Sequence, residues 1–119
     1  MCRLTKKERI IMDHFWKQGP MFVRDLLNSY PDPKPMFNTL ASQVRTLEQD
    51  GFLKRDLLGN AYRYSPSISE HEYGRKTISG TIEDYFNNSY LDVIHSLVKE
   101  ERISLEELKD LVERIEKGE

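Results

Sequence analysis

Apolar residues recur at helical spacing along most of the chain and switch to strand-like runs once, near the middle. The segment Thr5-Lys6-Lys7-Glu8 reads as a capping box, with Leu4 before it as a hydrophobic staple. Ile11, Met12, Phe15 and Trp16 follow at helical spacing, and Gln18-Gly19-Pro20 ends the run, which predicts a first helix over about residues 6–17. In MFVRDLLNSY, the residues Phe22, Val23, Leu26, Leu27 and Tyr30 predict a short amphipathic second helix. The prolines of PDPKP then forbid regular helix. A third helix is predicted from near Met36 to Gly51, with Leu40, Val44 and Leu47 as its apolar stripe and Phe37 extending it. Its opposite face carries Asn38, Thr39, Ser42, Arg45 and Thr46, which are polar, mostly uncharged and short enough to approach a surface closely.

The period changes at Phe52-Leu53, which opens a strand. Gly59-Asn60 is a tight hairpin signal, and Ala61-Tyr62-Arg63-Tyr64 returns as a second strand. Pro66-Ser67 forms a hinge. A fourth helix is expected from Ser69 to Asn87, with Tyr73, Ile78, Ile82, Tyr85 and Phe86 apolar, and Gly74 and Gly80 weaken it. A fifth spans Tyr90 to Lys99, capped by Ser89. Ser104-Leu105-Glu106-Glu107 is a second capping box. It opens a last helix with the stripe Leu105, Leu108, Leu111, Val112 and Ile115. The chain shows neither internal repeats nor low-complexity tracts.

The order helix–helix–helix–strand–strand, with a polar outer face on the third helix, is that of a winged helix-turn-helix. The expected class is mainly α (α+β winged helix), with a two-stranded wing and further helices. Residues 1–66 are expected to form a DNA-binding domain and residues 67–119 a helical dimerisation domain. A helix over about 36–50 has the width of the major groove, and the wing over 52–64 brings Lys54, Arg55 and Arg63 to backbone phosphates. The 119 residues carry a net charge of -2, which by itself argues against a polyanionic partner. The distribution argues for one. Residues 1–64 hold 11 Lys+Arg against 7 Asp+Glu, and residues 65–119 hold 7 against 13.

Other classes find less support. No apolar run approaches the ~20 residues that span a bilayer, and Met1 to Arg9 lacks the apolar stretch of a signal peptide. The single cysteine, Cys2, allows no internal disulfide and no cysteine zinc site, is read as an exposed terminal thiol, and fits a reducing cytoplasm. His14 reads as a helix-surface or packing residue, His71 as solvated, and His95 as an interface residue, so no acid–base centre emerges. The segment HEYGR lacks the second histidine of a zinc protease, and no phosphate loop or G-x-S-x-G elbow occurs. The chain is expected to be no enzyme and to hold no cofactor and no metal.

Three stretches resemble the BlaI/MecI/CopY-type, or penicillinase, repressors over about Leu4 to Lys117. The first is LTKKERIIMDHFWKQGPMFVRDLL, with its helix tryptophan and Gly-Pro break. The second, NTLASQVRTLEQDGFLKRD, is similar to the family's recognition helix pattern. The third, SYLDVIHSLVKEERISLEELKDLVERIEK, is similar to its dimerisation helices. The resemblance implies a cytoplasmic homodimeric repressor on a double-stranded operator of inverted repeats, without membrane insertion. Asn38, Thr39, Ser42, Arg45 and Thr46 match the groove-facing positions, and Tyr62 joins Arg63 on the returning wing strand. Tyr85, Phe86, Leu91, Ile94, Leu97, Leu105, Leu108, Leu111, Val112 and Ile115 would form the dimer interface.

In the branch that regulates antibiotic resistance, a membrane sensor protease of the BlaR/MecR type triggers cleavage at an Asn-Phe bond in the first dimerisation helix. The matching place here is Ser96-Leu97, so this chain departs from the branch in lacking the Asn-Phe bond. The copper branch ends in a cysteine-rich motif, whereas this chain ends in VERIEKGE, which excludes copper sensing by that motif. The competing reading is a winged-helix protein-interaction module without specific DNA binding, its wing charges solvated. The C-terminal stripe would also fit a heteromeric partner.

Overall fold

The computed structural model describes residues 3–119; Cys2 lies outside the described residues. Helix α1 (Lys6–Gln18) starts at the expected capping box: Thr5 Oγ1 accepts from Glu8 N at 3.2 Å, and Glu8 Oε1 accepts from Thr5 N at 2.9 Å. It stops at Gly19, whose φ of 85° is one that a side chain resists, and whose N–H donates to Phe15 O.

The next segment departs from expectation. Met21 and Phe22 form a short strand, β1 (Met21–Phe22), and helix α2 (Val23–Asn28) starts only after it. The second helix predicted from Phe22 to Tyr30 is therefore shortened at both ends, since α2 stops at Asn28 with Ser29 as its C-cap. Asp25 explains the late start, because its Oδ2 accepts from Phe22 N at 3.2 Å and holds Phe22 extended as the cap. Helix α3 (Phe37–Gln49) follows, and Gly51, with φ 90°, turns the chain into β2 (Leu53–Leu58). Gly59-Asn60 closes a two-residue hairpin, with Leu58 opposite Ala61, and returns the chain as β3 (Ala61–Pro66).

The sheet has three strands in the order β1-β3-β2, all antiparallel, so the expected two-stranded wing gains a strand. Met21 stands opposite Tyr64. A two-residue strand carries too little pattern to be seen in sequence; only its pairing with β3 defines it.

The core of this unit joins Ile11, Met12 and Phe15 of α1 to Leu26 of α2, to Leu40, Val44 and Leu47 of α3, and to Phe52, Leu53 and Tyr64. Ile68 belongs to the same cluster, and Trp16 and Tyr73 pack against it. The Trp16 indole N–H donates to Ile68 O at 2.9 Å, and the Tyr73 hydroxyl accepts from Leu4 N at 2.9 Å. These ties carry the first unit past Pro66: the chain divides into Met1–Arg75 and Lys76–Glu119, and the division falls inside α4 (Glu70–Tyr85).

The second unit contains the rest of α4, α5 (Tyr90–Lys99) and α6 (Leu105–Glu116). Asn87 and Asn88, with φ of 50° and 62°, make the turn into α5 in a conformation that asparagine tolerates better than most residues. Ser89 Oγ caps α5 by accepting from Asp92 N, and the expected Ser104–Glu107 capping box opens α6. Within Lys76–Glu119 the only buried residue is Ile82.

Two outcomes test these contacts. Trp16→Phe keeps the ring packing but leaves Ile68 O without its donor, and should lower the unfolding free energy by about 1–3 kcal/mol in a urea titration. The Ser104 backbone N–H, and then its hydroxyl, hold the Glu107 carboxyl below its ordinary 4.5. A depressed carboxylate stabilises the fold above its unfolded pKa and loses that effect as pH falls through the folded value. The helical carbon shifts of α6 should therefore weaken below about pH 4.5. In Glu107→Gln this acid-side loss should be smaller, the remainder coming from the other α6 carboxylates such as Asp110, which pairs with Arg114.

Candidate nucleic-acid interface

Burying Leu40, Val44 and Leu47 turns the opposite face of α3 outward. Asn38, Thr39, Ser42, Arg45 and Thr46 are all exposed. They do not form one uniform surface. Asn38, Ser42 and Thr46 follow one another at four-residue steps along the face away from the core. Arg45 lies at the edge toward β3, where it borders a groove with Tyr62 and Ala41. Thr39 lies at the other edge, beside Gln43, Lys7 and Lys34. Thr46 Oγ1 donates back to Ser42 O at 3.1 Å, which spends its proton inside the helix and leaves its oxygen as an acceptor.

The wing residues also divide. Strand alternation puts Arg55 on the face of Tyr62 and Tyr64, and Lys54 and Arg63 on the other. Arg55 is held in place: its Nε lies 3.2 Å from Glu48 Oε2, and its guanidinium sits 4.2 Å from the centre of the Tyr62 ring. Tyr64, and then Glu48, raise the pKa of Arg55 above its ordinary value. Arg55 thus links the end of α3 to the wing. Lys54 and Arg63 form no ion pair among the described residues, even though Asp56 stands opposite Arg63. Arg63 Nε is buried without a hydrogen-bond partner.

Sequence reasoning missed Arg24. It lies at the start of α2 with its guanidinium 5.2 Å from the centre of the Phe37 ring, on the same groove as Arg45. The signal was available in Asp25, which caps the helix and so places Arg24 in its first turn. Lys34 was also missed; its ammonium group reaches the Asn28 and Tyr30 carbonyls.

In the second unit, Tyr85, Phe86, Leu91 and Ile94 are exposed, as are Leu105, Leu111, Val112 and Ile115 of α6. Leu97 and Leu108 are half-buried. Ser96 and Leu97 lie inside α5, both half-buried, so a protease acting there would need the helix to unwind first. Of the histidines, His14 alone has a side-chain hydrogen-bond partner among the described residues, Gln18, at 3.3 Å. Among the described residues no group of His, Cys, Asp or Glu could hold a metal ion, and no helix is long and apolar enough to cross a membrane.

No curated protein matches the chain. A protein-family comparison matches the family described as penicillinase repressor over residues 4–117. That match spans nearly the whole chain, both the helix–wing unit and the helices that follow it. The chain belongs to the penicillinase repressor family, whose members are winged-helix, DNA-binding transcriptional repressors rather than enzymes.

Proposed function

We propose that the protein represses transcription in the cytoplasm as a homodimer on an inverted-repeat operator. In this reading α3 enters the major groove, with Asn38, Ser42, Arg45 and Thr46 at base edges and Thr39 at the groove's flank. Lys54 and Arg63 neutralise backbone phosphates beside it, Tyr62 lies against the same strand, and Arg55 holds the wing at its distance from α3. The observation that carries the reading is an exposed polar face on a helix locked by its buried stripe, next to two wing cations, Lys54 and Arg63, that form no ion pair among the described residues. Phosphate contacts supply salt-dependent affinity and base contacts supply sequence choice.

Dimerisation rests on the second unit. Two amphipathic helices that fully bury none of their apolar residues cannot make a stable core alone, and a two-fold partner would cover them. A two-fold dimer also matches an inverted repeat. Release would act through this unit: cleavage at Ser96-Leu97 by a membrane sensor protease would cut α5 and dissolve the interface.

Mobility shift on the DNA upstream of the protein's own gene, at two salt concentrations with unrelated competitor, tests the whole. A salt-sensitive shift that survives competition is expected; no shift at low salt from the folded protein would favour the protein-contact module instead. Arg45→Ala should weaken operator binding and relax discrimination by about 1–3 kcal/mol at one base position, whereas Arg63→Ala should weaken all DNA alike and flatten the salt slope by about one unit. Leu108→Asp places a charge in the apolar seam and should yield a monomer. Sedimentation at micromolar concentration reads that outcome, and a persisting dimer would remove α6 from the interface.

A further inference from the structure

The start of α2, one flank of α3 and strand β3 enclose a groove of about 590 Å³. That lies in the ~300–1,000 Å³ range of pockets that bury small molecules. Its walls are largely apolar: the rings of Phe22, Phe37 and Tyr62 line it, together with Val23 and Ala41. Two guanidinium groups, Arg24 and Arg45, border the same space. Neither takes part in an ion pair among the described residues. The one acid on the groove, Asp25, already accepts the Phe22 N–H at 3.2 Å.

We infer that this groove binds a small aromatic carboxylate. The ring would lie among Phe22, Phe37 and Tyr62, where apolar contact and offset stacking hold a flat π-face. The carboxylate would meet Arg24 and Arg45, whose planar donors suit a two-oxygen acceptor. Arg24 is already poised over the Phe37 ring at 5.2 Å, so a ligand gains its charge without ordering a new side chain. A neutral aromatic would leave the cations unanswered. A bare phosphate would leave the aromatic walls in water. Arg45 also stands at the edge of the polar face of α3, so bound carboxylate and DNA compete for it. That competition rests on the DNA-binding reading; the binding itself does not.

The probe is 2-naphthoate, titrated into the full chain without DNA and followed by calorimetry and amide NMR, with neutral 2-naphthamide and inorganic phosphate as controls. Saturable binding is expected, with shifts gathered on Phe37, Ala41, Arg45 and Tyr62. A charge-assisted hydrogen bond accounts for about tenfold in affinity, so naphthamide should bind at least that much more weakly. Arg24→Gln should weaken naphthoate by a similar factor and leave naphthamide unchanged. No saturable shift at millimolar naphthoate, shifts gathered elsewhere, or equal binding of the amide would overturn the proposal. Phosphate binding as tight as naphthoate, with the same shifts, would also overturn it and mark the groove as a seat for the DNA backbone. Naphthoate binding by a chain that binds no DNA would uphold the pocket and remove only the DNA reading. DNA affinity undiminished at saturating naphthoate would overturn the competition at Arg45.

Discussion

Everything on the first unit depends on how α3 is held. Leu40, Val44 and Leu47 are fully buried against α1, α2 and the strands. A helix is rigid about its axis, so fixing one face fixes the other. The cost of exposing three buried aliphatic side chains, each about 1.5–3 kcal/mol, keeps the helix from rotating. Asn38, Ser42 and Thr46 are therefore presented to the surroundings, and of their side chains only the Thr46 hydroxyl proton is spent, on Ser42 O within the helix. A reading helix needs this division of labour, since groups satisfied within the protein cannot also contact a partner.

The wing depends on α3 in turn. β3 is the central strand, paired on both edges, and its Tyr64 is buried in the same core. Arg55 adds a tie between sheet and helix through Glu48 and Tyr62. Because Glu48 and Arg55 are both partly exposed, that tie is worth little as stability. Its effect is geometric: it uses one wing cation as a brace and leaves Lys54 and Arg63 as the charges available to a polyanion. The groove lined by Arg24 and Arg45 opens beside this junction, on the same flank of α3.

The second unit follows a different logic. Its helices are well capped, so each is defined locally, yet Ile82 is their only buried residue. Caps stabilise helix ends but bury no apolar surface. Tyr85, Leu91, Leu105 and Ile115 thus sit in water as an unfinished core. The acidic balance of residues 65–119 makes this half the less suited of the two to a polyanion.

Much of the architecture was legible in the sequence. Capping boxes at Thr5 and Ser104, the Gly19 and Gly51 stops and the Gly59-Asn60 turn are local signals, written within four or five residues, and the helices begin and end where they say. The apolar stripe of α3 was equally legible, because helical period alone assigns its buried face. What the tertiary structure decided is pairing and proximity. β1 exists only because β3 lies beside Met21 and Phe22. Ile68 joins the first unit because its side chain enters the core and Trp16 reaches its carbonyl from 52 positions away. Lys54, Arg55 and Arg63 read as one set in sequence, whereas register and the position of Glu48 split them into a brace and two charges that form no ion pair among the described residues. Arg24 and Arg45 are 21 positions apart and meet across one groove. Periodicity reports which face of an element is apolar; it carries no information about which other element that face, or its opposite, will meet.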